Sequence, residues 1–294
     1  MKSSRFIASI TLLKFFLCSL ILGVTGCSGN ASSIFATAPL SNSPAITKSA
    51  KWHVIQISRA AHPRGIAVNN KLTVYFTQQR STGVKMLKSN GKLKNLGGDL
   101  KLPWGVAAFR SQVYVADTGN ALVKQILPSG KVKIIGSGWG DPTGVATDPS
   151  GNLYVLDPVS QKITRITPEG SSSSVATPEA CGESIGGVGV DSQDNMYVSC
   201  IGPNQVFKIQ PDGSVSGVCS HWKGPFALTS DANGDTFVGN DGGTTIFECT
   251  STGQLVEIKT DTNIGRAIGI AAGEDGNLYV ASQKFEIYEL VAPH

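Results

Sequence analysis

Six positions spaced about forty residues apart carry oxygen, nitrogen or sulfur: Gln78, Asp117, Asp157, Cys200, Asn240 and Ser282. Carboxylate and amide oxygens gathered in a ring are the donors a hard divalent ion prefers. Asp117, Asp157 and Asn240 are therefore the candidate metal ligands, with Ca²⁺ or Mg²⁺ as the candidate ion. The same atoms have a competing role. Asp117 precedes "TGN", where an Asp side chain commonly accepts hydrogen bonds from its own turn. Other chemistries find less material. The run "DANGD" at residues 231–235 has the look of a calcium loop, but its glycine is misplaced and no glutamate follows at the required distance, so it reads as a hairpin turn. The run "SSSSV" from Ser171 reads as surface, and a serine hydrolase would need a histidine partner that is not evident.

Aromatic and cationic residues form a second set. Arg64, Trp104, Trp139, His221, Trp222 and Phe226 fall at the starts of short apolar runs or in the stretches leading to them. Exposed rings beside a guanidinium make a surface for a peptide, a glycan or an apolar partner. The same rings could instead wedge between packed sheets. Of the six cysteines, Cys18 and Cys27 fall at the N-terminus, leaving Cys181, Cys200, Cys219 and Cys249, which allow three pairings. Position favours Cys181 with Cys200, an oversized connection tied to its own repeat. Cys219 falls late in a fourth strand on the same side, while Cys249 reads as nearer the opposite face and free.

These residues are carried by a repeat. An aromatic column, Tyr75, Tyr114, Tyr154, Tyr197, Phe237 and Tyr279, takes five of the six tyrosines. Before each lies a Gly- and Ala-rich apolar strand, such as "PRGIAV", "PWGVAA" and "PTGVAT". Turn signals such as "DPSGN" and "GEDGN" separate the two, and a third strand, a second turn and a weaker fourth strand follow. Four antiparallel strands repeated six times predict an all-β, six-bladed β-propeller. The sixth copy ends after three strands, and "KWHVIQIS" at residues 51–58 is the strand that would complete it and close the ring. Chain direction then places the first-strand starts, the second-strand ends and the connections between blades on one face, here the top.

The stretches "LPWGVAAFRSQVYVADTGNALVKQILPSGKV" and "DPTGVATDPSGNLYVLDPVSQKITRITPEG" resemble the NHL repeat, and "HPRGIAV" with "VYFTQ" resembles the streptogramin-lyase type of repeat. The resemblance covers residues 51–294 and implies the propeller fold, which hosts lyases, lactonases and binding modules alike. Similarity to gluconolactonase-like propellers would place part of a metal site at the second-strand ends. That family has a glutamate at the start of the first blade, where this chain has Arg64. A streptogramin-lyase-like reaction would use a histidine base near glutamates on the top face. The top-face candidates here are His62 and His221, in blades that are not neighbours, with Glu183 in a connection.

The N-terminus carries a different signal. Lys2 and Arg5 precede the apolar run from Phe15 to Val24, and "VTGC" at residues 24–27 resembles a bacterial lipobox with Cys27 as the lipidated residue. Residues 1–26 are expected to be a leader, 27–50 a flexible tether and 51–294 the propeller. Loss of Lys2, Arg5 and Lys14 takes the formal charge from +4 to +1, which leaves no charge-based case for nucleic acid. The expectation is an exported, lipid-anchored envelope protein whose propeller is a non-catalytic binding or scaffold module for a protein or glycan partner. The alternative is a metal-dependent hydrolase or lyase using Asp117, Asp157 and Asn240.

Overall fold

A computed structural model describes residues 47–48, 50–175, 177–182 and 184–293. The stretch expected to be a leader, Cys27, most of the stretch expected to be a tether, Glu183 and His294 lie outside the described residues. Six sheets form the expected blades. Their innermost strands are Pro63–Val68, Val106–Phe109, Gly144–Thr147, Ile185–Val190, Pro225–Ser230 and Ala267–Ala272. Each continues antiparallel through a second and a third strand to an outer one. The closing prediction holds: His53–Arg59 pairs antiparallel with Glu286–Val291 and becomes the outer strand of blade six. Thr47–Lys48 adds a short parallel strand to the outer edge of blade five. Among the described residues no helix is long and apolar enough to cross a membrane.

The second strands read as near-continuous apolar runs because each is sandwiched between two neighbouring blades. A buried-exposed alternation is absent there; Leu153–Asp157 and Leu278–Ser282 are buried at every position. Six hydrophobic clusters result, one at each blade-to-blade contact. The aromatic column faces the next blade: Tyr75 packs with blade two, Tyr114 with blade three, and Tyr279 with blade one. Its hydroxyls tie down the hairpins beneath. Those of Tyr154, Tyr197 and Tyr279 donate to Asp148, Asp191 and Asp275 at 3.2, 3.0 and 2.9 Å. Burial and the Asp148 carboxylate push the Tyr154 hydroxyl up to about 12. In blade five Phe237 removes this donor, and burial holds the nearby Asp231 and Glu248 carboxyls above their usual range, helped by Asp235.

The four cysteines of the propeller form two disulfides. Cys181–Cys200 matches the expected pair. Cys249 is not free: it is bonded to Cys219. Face assignment from strand direction works near the axis, but twist accumulates at roughly 20–25° per strand. Cys219 lies two residues beyond the outer strand of blade four, Val215–Gly217, and packs with Cys249 in the cluster between blades four and five.

The ring is closed by more than strand pairing. Trp52, 7% exposed, sits between blades five and six beside Ile246, Ile264 and Leu290. Its backbone N–H donates to Lys259 O at 2.7 Å, and His53 Nδ1 meets Asp261 Oδ2 at 2.6 Å. Trp52→Ala is expected to lower unfolding stability by about 3–5 kcal/mol, read as a shift in the urea midpoint.

Candidate functional site

The column at the second-strand ends turns out to be a set of clamps. Asp117 is fully buried; its Oδ1 accepts from Lys101 N–H at 2.6 Å and its Oδ2 from Asn120 Nδ2 at 2.8 Å. The same carboxylate pairs with Lys124 Nζ at 2.7 Å. Asp157 accepts from Gly140 and Asp141 N–H at 2.8 and 2.9 Å. Burial alone would raise its pKa, but these two bonds and Ser160 hold it below the usual carboxylate range. Cys200 reaches its incoming connection through the disulfide to Cys181, and Ser282 Oγ donates to Ile264 O at 2.5 Å. In each case the second strand grips the connection that enters its own blade. Asn240 is buried with its Oδ1 unpartnered. The structure does not bring Asp117, Asp157 and Asn240 together, and among the described residues no three His, Cys, Asp or Glu side chains converge as a metal-binding group.

The axial mouth on the top face is built differently. In blades one, four, five and six the inner strand starts with a bulge, at Pro63/Ile66, Ile185/Val188, Pro225/Ala227 and Ala267/Gly269. A bulge re-aims one side chain, and here the re-aimed positions are Arg64, Gly186, Phe226 and Ile268. In blades two and three Trp104 and Thr143, just ahead of the strand, fill the corresponding places. All six line one axial cavity of about 80 Å³. The Arg64 guanidinium lies 4.4 Å from the Trp104 ring centroid, and Arg266 lies 5.8 Å from that of Phe226. Arg64 Nη2 donates to Gln79 Oε1 at 2.7 Å, and Arg266 pairs with Asp241. Burial, then the charge of Arg266, depress the Arg64 pKa.

The six residues expected on a binding face therefore divide. Arg64, Trp104 and Phe226 stand at the mouth. Trp222, 4% exposed, is a wedge between blades four and five, its Nε1 donating to Val218 O at 3.0 Å. Trp139 packs half-buried against the contact of blades two and three. His221 is exposed, in a left-handed conformation at φ 75, with Nδ1 3.0 Å from Ser220 Oγ. His62 stacks edge-on against Phe285 at 4.7 Å. Neither histidine lines the axial cavity. The spacing G-x-S-x-G does occur, at residues 182–186, and the fold disarms it. A nucleophile elbow joins a strand to a helix, whereas Ser184 leads from a 3₁₀ turn into the strand Ile185–Val190. Thr143, Gln79 and Arg266 join the mouth unannounced. The signal for Thr143 was its place in "PTG", matching Arg64 in "PRG" and Trp104 in "PWG".

The virginiamycin B lyase family model matches residues 26–290. The chain belongs to the virginiamycin B lyase family. No curated protein matches it. Among solved structures, a catalytically inactive histidine-to-alanine variant of virginiamycin B lyase from Staphylococcus aureus, with quinupristin, is 17% identical, with a TM-score of 0.64, covering 83% of this chain and 100% of that one. A gluconolactonase from Xanthomonas campestris is 16% identical, with a TM-score of 0.66 over 82% of this chain and 89% of that one. A chain of the nidogen/laminin complex is 19% identical, with a TM-score of 0.64 over 72% and 85%. At these identities the likeness concerns the fold, which members of the lyase family share with a lactonase and a protein-complex component.

In this virginiamycin B lyase family chain the clamps predict a structural phenotype. Asp117→Ala strands Lys124, 7% exposed, without its carboxylate. Loss of about 3–5 kcal/mol of stability is expected, measured by equilibrium urea unfolding.

Proposed function

We propose that this protein is a binding module of the cell envelope, held there by lipid on Cys27, that engages its partner at the top mouth of the channel. The observation that carries the reading is the mouth itself, where Arg64 lies on Trp104 and Arg266 near Phe226. Guanidinium groups held against aromatic rings supply a rigid contact surface with both apolar and donor character. Such a surface suits a peptide or glycan partner. The two carboxylates that could have served a metal are engaged by the chain's own N–H groups.

A lyase reading is favoured by one observation, the family match over residues 26–290. The relative with quinupristin is inactive when one histidine is replaced by alanine. Here His62 and His221 are engaged away from the axial cavity. That geometry supports binding over proton abstraction, which requires a base within hydrogen-bond reach of the proton it removes.

The two readings separate in one pair of assays. Wild type and a Trp104→Ala/Phe226→Ala variant are compared for retention of envelope proteins and glycans, and both are incubated with quinupristin, its consumption followed by chromatography. The expected outcome is a ligand held by wild type and lost by the variant, with quinupristin intact. Turnover of quinupristin that mouth substitutions abolish would replace the binding reading with the lyase one. The proposed anchor is tested separately. Cells fed labelled palmitate are expected to label the wild-type protein, and Cys27→Ser to abolish the label.

A further inference from the structure

The mouth of the channel holds more hydrogen-bond donors than acceptors. Arg64 Nε is buried without a partner, and so is Thr143 Oγ1 in the same ring. Arg266 Nε, just outside the ring, is in the same condition. The backbone acceptors around them are already engaged by neighbouring blades. Trp104 O accepts from Gly65 N–H at 3.0 Å and also from Thr77 Oγ1. Thr143 O accepts from Gly105 N–H at 2.9 Å, and Phe226 O from Ser199 Oγ at 3.1 Å. Asp241 neutralises Arg266 on its outer side, and Gln79, a neutral amide, is the side-chain acceptor for Arg64. Among the described residues Arg64 thus has no carboxylate partner, is partly withdrawn from water, and feels the charge of a second guanidinium, that of Arg266. Burying such a charge is costly unless an anion meets it.

The space and the walls narrow the ligand further. The cavity of about 80 Å³ has room for a group the size of a carboxylate. Around that space stand Trp104, Phe226 and Ile268, all apolar. Gly186 contributes no side chain at its place in the ring, where a Cβ would come within 2.9 Å of Phe226 O and Ser199 Oγ. A headgroup that only accepts hydrogen bonds, carried on an apolar body that stays above the ring, fits this arrangement. Arg binds planar oxyanions through two parallel bonds, and its Nε is one of the two nitrogens usable in that fork.

We propose that the mouth binds a carboxylate borne on a flat apolar body, the carboxylate meeting Arg64 and Thr143 and the body resting on Trp104 and Phe226. The proposal rests on the binding reading above and names the chemistry of its ligand. A free aromatic acid and the C-terminus of a peptide ending in an aromatic residue share that chemistry.

The test is calorimetric titration of the full chain with phenylacetate and with phenylacetamide, which differ in the headgroup alone. Phenylacetate is expected to bind at least about tenfold tighter, and Arg64→Gln to erase that difference. Arg64→Lys should restore part of it. Raising salt from about 50 to 500 mM should weaken the acid and leave the amide unchanged, an arm that needs no variant to fold. N-acetylphenylalanine binding tighter than phenylacetate identifies a peptide terminus, and the reverse order a free acid. Equal binding of acid and amide overturns the inference, as does a preference that survives Arg64→Gln or the absence of binding by either probe. If acid and amide bind alike and Trp104→Ala weakens both, the mouth is still a binding site and only its anion specificity has failed.

Discussion

Six inner strands crowd one axis, and their closeness governs everything outside them. A side chain built at Gly65 would put its Cβ 2.6 Å from Trp104 O; at Gly105 it would meet Thr143 O, and at Gly269 Arg64 O, each at 2.6 Å. Glycine is what lets the backbone of one blade touch the next. That contact allows direct hydrogen bonds from Gly65 and Gly105 to the following blade, and it fixes where the preceding residue must point. The side chains of Arg64, Trp104 and Phe226 line the axial cavity. The mouth is therefore a consequence of the packing constraint and not an addition to it.

A second requirement follows from the first. If the inner strands are to stay close, the long connections that deliver them cannot drift. Four of the six blades solve this at the same place with different chemistry. Asp117 uses a buried carboxylate bridging Lys101 and Lys124, Asp157 two backbone N–H groups, Ser282 a hydroxyl, and Cys200 a covalent bond. Blades one and four add a hydroxyl behind the bulge, Thr77 and Ser199, each accepting from an inner-strand glycine and donating to the next blade. The role is mechanical because these groups are spent within the chain itself, on backbone N–H and C=O groups, a lysine and a second cysteine.

Much of this was legible in the residues. The period, the aromatic column and the truncated sixth copy defined six blades and the closing strand, because strand alternation and turn chemistry are local properties. Asp117 before "TGN" read as the cap of its own turn, yet its carboxylate takes no backbone N–H of that turn and binds Lys101 N–H, the Asn120 side chain and Lys124 instead. Twist was not legible. It is a property of whole sheets, and strand direction alone misplaced Cys219, which meets Cys249 from the connection after the outer strand of blade four, so that a thiol expected to be free is bonded. Burial of individual rings was equally hidden. Trp104 and Trp222 both precede inner strands by a few residues, yet the first stands at the mouth and the second is 4% exposed. Trp104 lies two residues ahead of its strand and Trp222 three ahead of its own, a difference of one residue that a single sequence does not resolve.

Function in a repeat protein resides where the repeat departs from itself. The tyrosine column, the hairpin aspartates and the clamps recur around the ring and account for the fold. At the ring position ahead of the inner-strand glycine, by contrast, no two blades agree: Arg64, Trp104, Thr143, Gly186, Phe226 and Ile268 differ in size, charge and polarity. A position constrained by packing would converge on one small or apolar residue, as the glycine beside it nearly does. Divergence at six symmetric places, all lining one cavity, instead builds an asymmetric pocket on a symmetric frame, with a cation on one wall, aromatic rings on two others and no side chain at Gly186. Asymmetry of that kind is what orients a ligand, since a six-fold mouth would present every orientation with the same energy.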